Sequence, residues 1–171
     1  MQKINLGCGH NHLNGFLNID KFMSNKPDVC CDLEHGLPFK DNSIDEVFAI
    51  HVMEHISNLM NLMRDIYRVC KNGVKCFFVT PYKTSFEAMG NPHHLRVFDE
   101  WSWYYFTPEL YDNPTTSGYA YMGLDFTFKI DKIELIPYPE FLNDKELDWK
   151  KNHWWNVIRE VHGYLEVVKN E

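Results

Sequence analysis

Long apolar runs are missing from this chain of 171 residues. No stretch of about 18 apolar residues occurs, so no helical membrane span is expected. A basic start followed by an apolar core is missing as well. Met1-Gln2-Lys3-Ile4 leads straight into strand-like sequence, so no secretory signal is expected. Positive charge is in deficit: 17 Lys and Arg against 24 Asp and Glu leave a net charge of −7. That balance disfavours a nucleic-acid partner, because such partners are held by Lys and Arg neutralising phosphates. Paired cysteine hooks are absent too. Cys8, Cys30, Cys31, Cys70 and Cys76 form no CxxC, so no structural zinc is expected, even with His10, His12 and His35 near three of them. Cys30 and Cys31 alternate along a strand, which fits burial on two faces. An odd, unpaired set suits a reducing, cytoplasmic location. Without internal repeats or low-complexity linkers, residues 1–171 are expected to form one domain.

What is present begins with Asn5-Leu6-Gly7-Cys8-Gly9, an apolar strand running into a glycine turn. Residues 16–20 read as a second strand ending on Asp20, and residues 27–32 as a third ending on Asp32. In an open α/β sheet, ligands bind outside the carboxyl ends of the strands. A turn that lets the backbone approach closely, beside two carboxylates able to accept from ribose hydroxyls and an adenine amino group, describes a nucleoside site. A dinucleotide fold sets its acidic residue about 20 residues beyond the glycines, after a full helix. Here the stretch from Gly9 to Gly15 leaves no room for that helix.

Further along, residues 43–50 read as a fourth strand. Apolar residues at Ile56, Leu59, Met60, Met63, Ile66, Tyr67 and Cys70 then mark one face of a helix over 56–71. Gly73 reads as its stop, and residues 74–80 as a central strand closed by Pro81. Residues 83–125 read as a loop-rich aromatic cap, with Asp99 capping a short helix and an exposed loop over 111–121. Residues 126–136 and 164–169 read as the last two strands, with partial helix over 144–160 between them.

LGCGHNHLNGFLNID, CDLEHGLPFKDNSIDEVFAIHVMEHI, RDIYRVCKNG and VKCFFVTP, in that order, resemble the class I S-adenosylmethionine-dependent methyltransferases, within them a small subgroup with a shortened first crossover. The resemblance is close from Lys3 to about Tyr82 and looser over 91–98. It implies a Rossmann-like α/β sheet, mostly parallel with an antiparallel edge, helices on its faces and the first helix reduced or absent. It implies S-adenosylmethionine as cofactor. Leu6, Gly7, Cys8 and Gly9 would lie at the methionine end, Asp20 with Lys21 at the ribose, Asp32 and Leu33 at the adenine, and His51 near the methyl donor. The family motif usually opens with an acidic residue and often carries a third glycine, where this chain has Asn5 and Asn11.

Methyl transfer needs positioning of donor and acceptor, and an oxygen acceptor gains from a base. His94 leads for that role, followed by His51 and His55, and Arg96 is set to orient an anionic group. The segment 101–106 could stack a flat ring or a sugar face. The motif after the fourth strand is not the Asn/Asp-Pro-Pro-aromatic of DNA adenine methylases, so a small-molecule or glycan-type acceptor is expected. The alternatives are a non-catalytic, methyltransferase-like binding protein and, from His51-Val52-Met53-Glu54-His55, an HxxEH zinc peptidase. The peptidase needs both histidines on one helical face, yet the apolar run before His51 places it at a strand end. Trp154 and Trp155 are read as core or as support for a homodimer.

Overall fold

The computed structural model describes residues 1–107 and 124–169. Its seven strands are β1 (Lys3–Leu6), β2 (Leu17–Asp20), β3 (Val29–Cys30), β4 (Ile44–Ile50), β5 (Cys70–Pro81), β6 (Phe128–Pro137) and β7 (Ile158–Val167). They form one sheet in the order β3-β2-β1-β4-β5-β7-β6, parallel except for β7, which runs antiparallel to both neighbours. The helices are α1 (Leu59–Val69), α2 (Phe86–Gly90) and α3 (Leu147–His153).

The principal helix, α1, is set by its periodic face: Leu62, Met63, Ile66 and Val69 are buried against the sheet. Asn58 caps it, its side chain accepting from the Asn61 N–H at 3.1 Å. Its end differs from the expected glycine stop. Cys70 is already extended and pairs with Ile44, and the β4–β5 register then jumps to Glu46 opposite Lys75. Gly73, at φ +77°, lies inside the resulting bulge, so it serves the strand rather than the helix.

β1 is followed by β2 with no helix between, as the spacing predicts. Asn5 and Asn18 lie side by side in register, and the Asn5 Nδ2 donates to Asn18 Oδ1 at 3.0 Å and to the Asn11 carbonyl at 2.8 Å. Asn18 also accepts from the Leu13 N–H, and the Asp28 carboxylate accepts from its backbone and side-chain N–H groups. The short loop thus closes over a polar ladder where a full crossover helix would need apolar partners.

Burial alternates along the strands, so one face of the sheet is more covered than the other. On β7, Val161, Gly163, Leu165 and Val167 are buried while His162, Tyr164 and Glu166 stay partly exposed; β4 alternates the same way. The less covered face carries a line of rings, Phe16 to Phe48 (5.0 Å), Phe48 to Phe77 (5.2 Å) and Phe77 to Tyr164 (4.7 Å). Flanking ion pairs, Lys3 with Glu46 and Lys75 with Asp131 and Glu166, keep its rim polar. Burial of Cys30 and Cys31 was expected too, but β3 is the edge strand, so Cys30 is exposed and Cys31 only half-buried.

After β5 the chain builds the cap from α2 and a 3₁₀ helix, Ser102–Phe106. Asp99 caps the turn leading into the latter, accepting from the Trp101 and Ser102 N–H groups. The loop expected over 111–121 lies outside the described residues.

Candidate active-site cleft

The carboxyl ends of β1, β2 and β4 open into a cleft of about 630 Å³, lined by Gly7, Asp20, Lys21, Asp32, Leu33, His51, His55 and the segment 91–93, among others. That volume lies within the range of small-molecule and cofactor sites.

At its base Gly7 takes φ +58°, and a Cβ there would lie 2.5 Å from Val52 Cγ2. Only glycine meets both the left-handed backbone and the close approach. Asp20, almost fully buried at the end of β2, is aligned by two backbone donors: the Gly9 N–H on Oδ2 at 2.9 Å and the Phe22 N–H on Oδ1 at 2.8 Å. Each oxygen keeps a further lone pair for a ribose hydroxyl. Leu33 is buried and forms an apolar wall. Asp32 does not end a strand, because β3 stops at Cys30; it caps the 3₁₀ turn Leu33–His35, accepting from the Glu34 N–H at 3.1 Å. It still lines the cleft. Cys8 is buried, and burial, with Asp20 and Asp28 behind it, pushes its thiol pKa up, so it stays a neutral wall. Asn5, at the motif's usual acidic position, faces Asn18 and the Asn11 carbonyl.

On the opposite side, His51 follows β4 with φ +55°, confirming a strand-end position. Both its ring nitrogens face carboxylates, Nε2 to Glu160 at 3.2 Å and Nδ1 to Glu54 at 3.5 Å. Glu160 and Glu54 together push its pKa up to about 9, and a ring so flanked donates rather than accepts protons. His55 closes the 3₁₀ turn Met53–His55. The two histidines therefore do not share one helical face, and the peptidase geometry is not formed.

The loop 91–96 is pinned to that turn. The Leu95 N–H donates to the Glu54 carbonyl at 2.9 Å, and the Arg96 guanidinium donates to the carbonyls of Met53, Ile56 and Ser57. Arg96 was expected to orient an anionic group; its guanidinium instead clamps backbone. His94 is nearly buried, 7% exposed, and is not among the residues lining the cleft, so it does not offer its ring to an acceptor directly. The aromatic segment is also largely core. Trp103 stacks on Phe78 at 5.3 Å and on Phe98 at 5.2 Å, and both Trp103 and Phe106 are buried. Sequence reasoning did not single out Val52, Asn91 or Glu160, the last of which reaches His51 only across the fold; Glu54 was visible solely inside HxxEH.

Residues 6–78 match the model of the Methyltransferase domain family. Over that stretch, and in its strand order, the chain is similar to class I methyltransferase domains. The chain is 36% identical over 67 residues to an uncharacterized protein of Methanocaldococcus jannaschii, an alignment covering 39% of this chain and 29% of the relative. In fold it is similar to an S-adenosylmethionine-dependent methyltransferase of Archaeoglobus fulgidus, with a TM-score of 0.61 at 18% identity over 96% of this chain and 85% of that one. It is similar too to a chain in the Haloferax volcanii complex of the Trm112 methyltransferase activator with a methyltransferase, with a TM-score of 0.62 at 12% identity over 99% and 83% of the two chains. Among the described residues no helix is long and apolar enough to cross a membrane.

Proposed function

We propose that this domain transfers a methyl group from S-adenosylmethionine to a small-molecule or sugar-containing acceptor. The observation that carries the reading is the strand-end cleft in which two backbone N–H groups align Asp20 beside the Gly7 turn. The residues present fit the nucleoside: Asp20 would accept from the ribose hydroxyls, Leu33 would pack against the base, and Asp32 would meet its amino group. Lys21 is exposed and lines the same cleft. Bound S-adenosylmethionine would supply an electrophilic methyl group on a sulfonium, open to in-line displacement.

The methionine end is held differently from a protein with a first helix. The Gly9 N–H is engaged by Asp20, and no helix N-terminus is present to hold a carboxylate. That observation motivates the second reading, a methyltransferase-like binding protein without turnover. Acceptor positioning falls to His51, His55 and the loop 91–93, which line the other end of the cleft. The net charge of −7 supports a small acceptor rather than a nucleic acid. Trp154 and Trp155 are 48% and 63% exposed, which supports a homodimer contact over a core role; light scattering of wild type and a Trp155→Ser variant tests it.

Calorimetry with S-adenosylmethionine and its demethylated product tests the cofactor, and transfer of radioactive methyl into sugars and small metabolites tests the chemistry. Saturable binding with transfer supports the enzyme. Binding without transfer to any acceptor favours the second reading, and no binding of either ligand overturns both.

A further inference from the structure

We propose that Glu54, His55 and His94 bind a divalent transition-metal cation whose remaining positions open on the cleft and take an oxygen of the acceptor. The cation site stands on its own geometry, and its link to the acceptor rests on the methyl-transfer reading above. Sequence spacing predicts no metal; two of these donors are neighbours in a turn, and the third comes from a loop that only the fold brings alongside.

Glu54 carries the argument. Its side chain is 1% exposed, and neither carboxylate oxygen accepts a hydrogen bond among the described residues. The nearest ring nitrogens are His51 Nδ1 at 3.5 Å and His94 Nε2 at 4.0 Å from Oε1. A buried carboxylate that accepts no hydrogen bond and faces only the His51 ring at 3.5 Å is costly, and a cation is one of the few groups that satisfies it further.

The hydrogen-bond network fixes the tautomer of His94. Asn91 Oδ1 accepts from the His93 N–H at 3.0 Å, which fixes the amide so that its Nδ2 donates to His94 Nε2, also at 3.0 Å. His94 Nδ1 therefore carries the proton and donates to the Ala88 carbonyl at 3.1 Å, and a cation takes the Nε2 lone pair only by displacing the Asn91 amide. His55 is oriented in the same manner, Nδ1 donating to the His93 carbonyl at 3.2 Å, so its Nε2 bears the free lone pair. A histidine whose second nitrogen donates to a carbonyl is the arrangement that surrounds bound metals.

The three donor atoms lie within 4.8 Å of one another. A cation about 2.1 Å from each donor asks for separations of about 3.4 Å, so the set closes by up to about 1.4 Å on binding. Two imidazoles and one carboxylate select zinc, cobalt, iron or manganese over magnesium and calcium, which prefer all-oxygen sets. His55 lines the cleft while Glu54 and His94 stand behind it, so the open positions face the acceptor end. Arg96, clamped on the carbonyls of Met53, Ile56 and Ser57, is a positioning residue for the set.

Titration of the metal-stripped full chain with Co²⁺ tests the site through its visible d–d absorption. One Co²⁺ per chain is expected, displaced by Zn²⁺ and indifferent to Mg²⁺. Glu54→Gln and His94→Gln should each weaken Co²⁺ binding at least tenfold, while His153→Gln on α3 leaves it unchanged. Circular dichroism checks folding; if Glu54→Gln does not fold, His55→Gln, at an exposed residue, carries the same comparison. No saturable binding of Co²⁺, Zn²⁺ or Mn²⁺, or undiminished binding in both histidine variants, overturns the proposal. S-adenosylmethionine binding without stoichiometric cation removes the cation and leaves the methyl-transfer reading in place. Cation binding without S-adenosylmethionine binding keeps the site and overturns its link to the acceptor.

Discussion

Gly163 of β7 lies directly beneath the indole of Trp103: a Cβ on Gly163 would sit 2.8 Å from the ring. Trp103 is fully buried, and through this contact and its stacking on Phe78 and Phe98 it fastens the cap to the sheet. Trp103→Ala should cost about 3–5 kcal/mol, and Gly163→Ala about 1–3 kcal/mol through overpacking. Urea unfolding measures both; a Gly163→Ala variant as stable as wild type would show that the indole does not rest there.

Asp20 is expected to dominate cofactor affinity, because it meets the ribose and also holds the Gly9 N–H. A charge-assisted hydrogen bond contributes about 1.5–3 kcal/mol. Asp20→Ala should therefore weaken binding of S-adenosylmethionine or its demethylated product roughly 10- to 100-fold by calorimetry.

Gly7 and Val52 should behave as a coupled pair. Gly7→Ala forces a side chain to φ +58° and into Val52 Cγ2, and both effects should lower affinity and stability. Adding Val52→Ala relieves only the steric part. A double-mutant cycle should give an interaction term of roughly 0.5–2 kcal/mol, and strict additivity would count against the contact.

Asn5→Asp would restore the acidic residue usual in the family motif, yet it should damage this chain. Asn5 Nδ2 donates to two acceptors, Asn18 Oδ1 and the Asn11 carbonyl. A carboxylate there is buried facing acceptors, at a cost of about 2–4 kcal/mol. The thermal midpoint should fall, with no gain in cofactor affinity.

The same ladder makes the fold acid-sensitive. The Asn18 N–H groups hold the Asp28 carboxyl below its ordinary pKa of about 3.9. A group with a depressed folded pKa contributes stability above its unfolded pKa, and this is lost as pH falls through the folded value. Acid unfolding should thus be steeper in wild type than in Asp28→Ala, the two curves converging at low pH.

Local pattern told a great deal here. The apolar strand before Gly7, the carboxylate ending β2, the periodic face of α1 and the missing first helix were all legible in the sequence, because each depends on residues close together along the chain. Cys70 and Gly73 were misplaced because the helix stop was overruled by pairing with β4, a partner far away in sequence. Arg96 and His94 look like site residues in isolation, yet one clamps a turn and the other sits behind the cleft wall.

The sequence by itself determined the order of strands, the glycine turn and the acidic strand end, and through them the likeness to methyltransferase domains. Only the tertiary structure decided how the residues after β4 are used. His51, Glu54 and His55 acquire their roles from Glu160, the loop carrying His93 and His94, and the carbonyls facing Arg96, which meet only when β7 and the cap close over β4. Charge pairing and lone-pair direction act across space over a few ångströms, and no local periodicity records them.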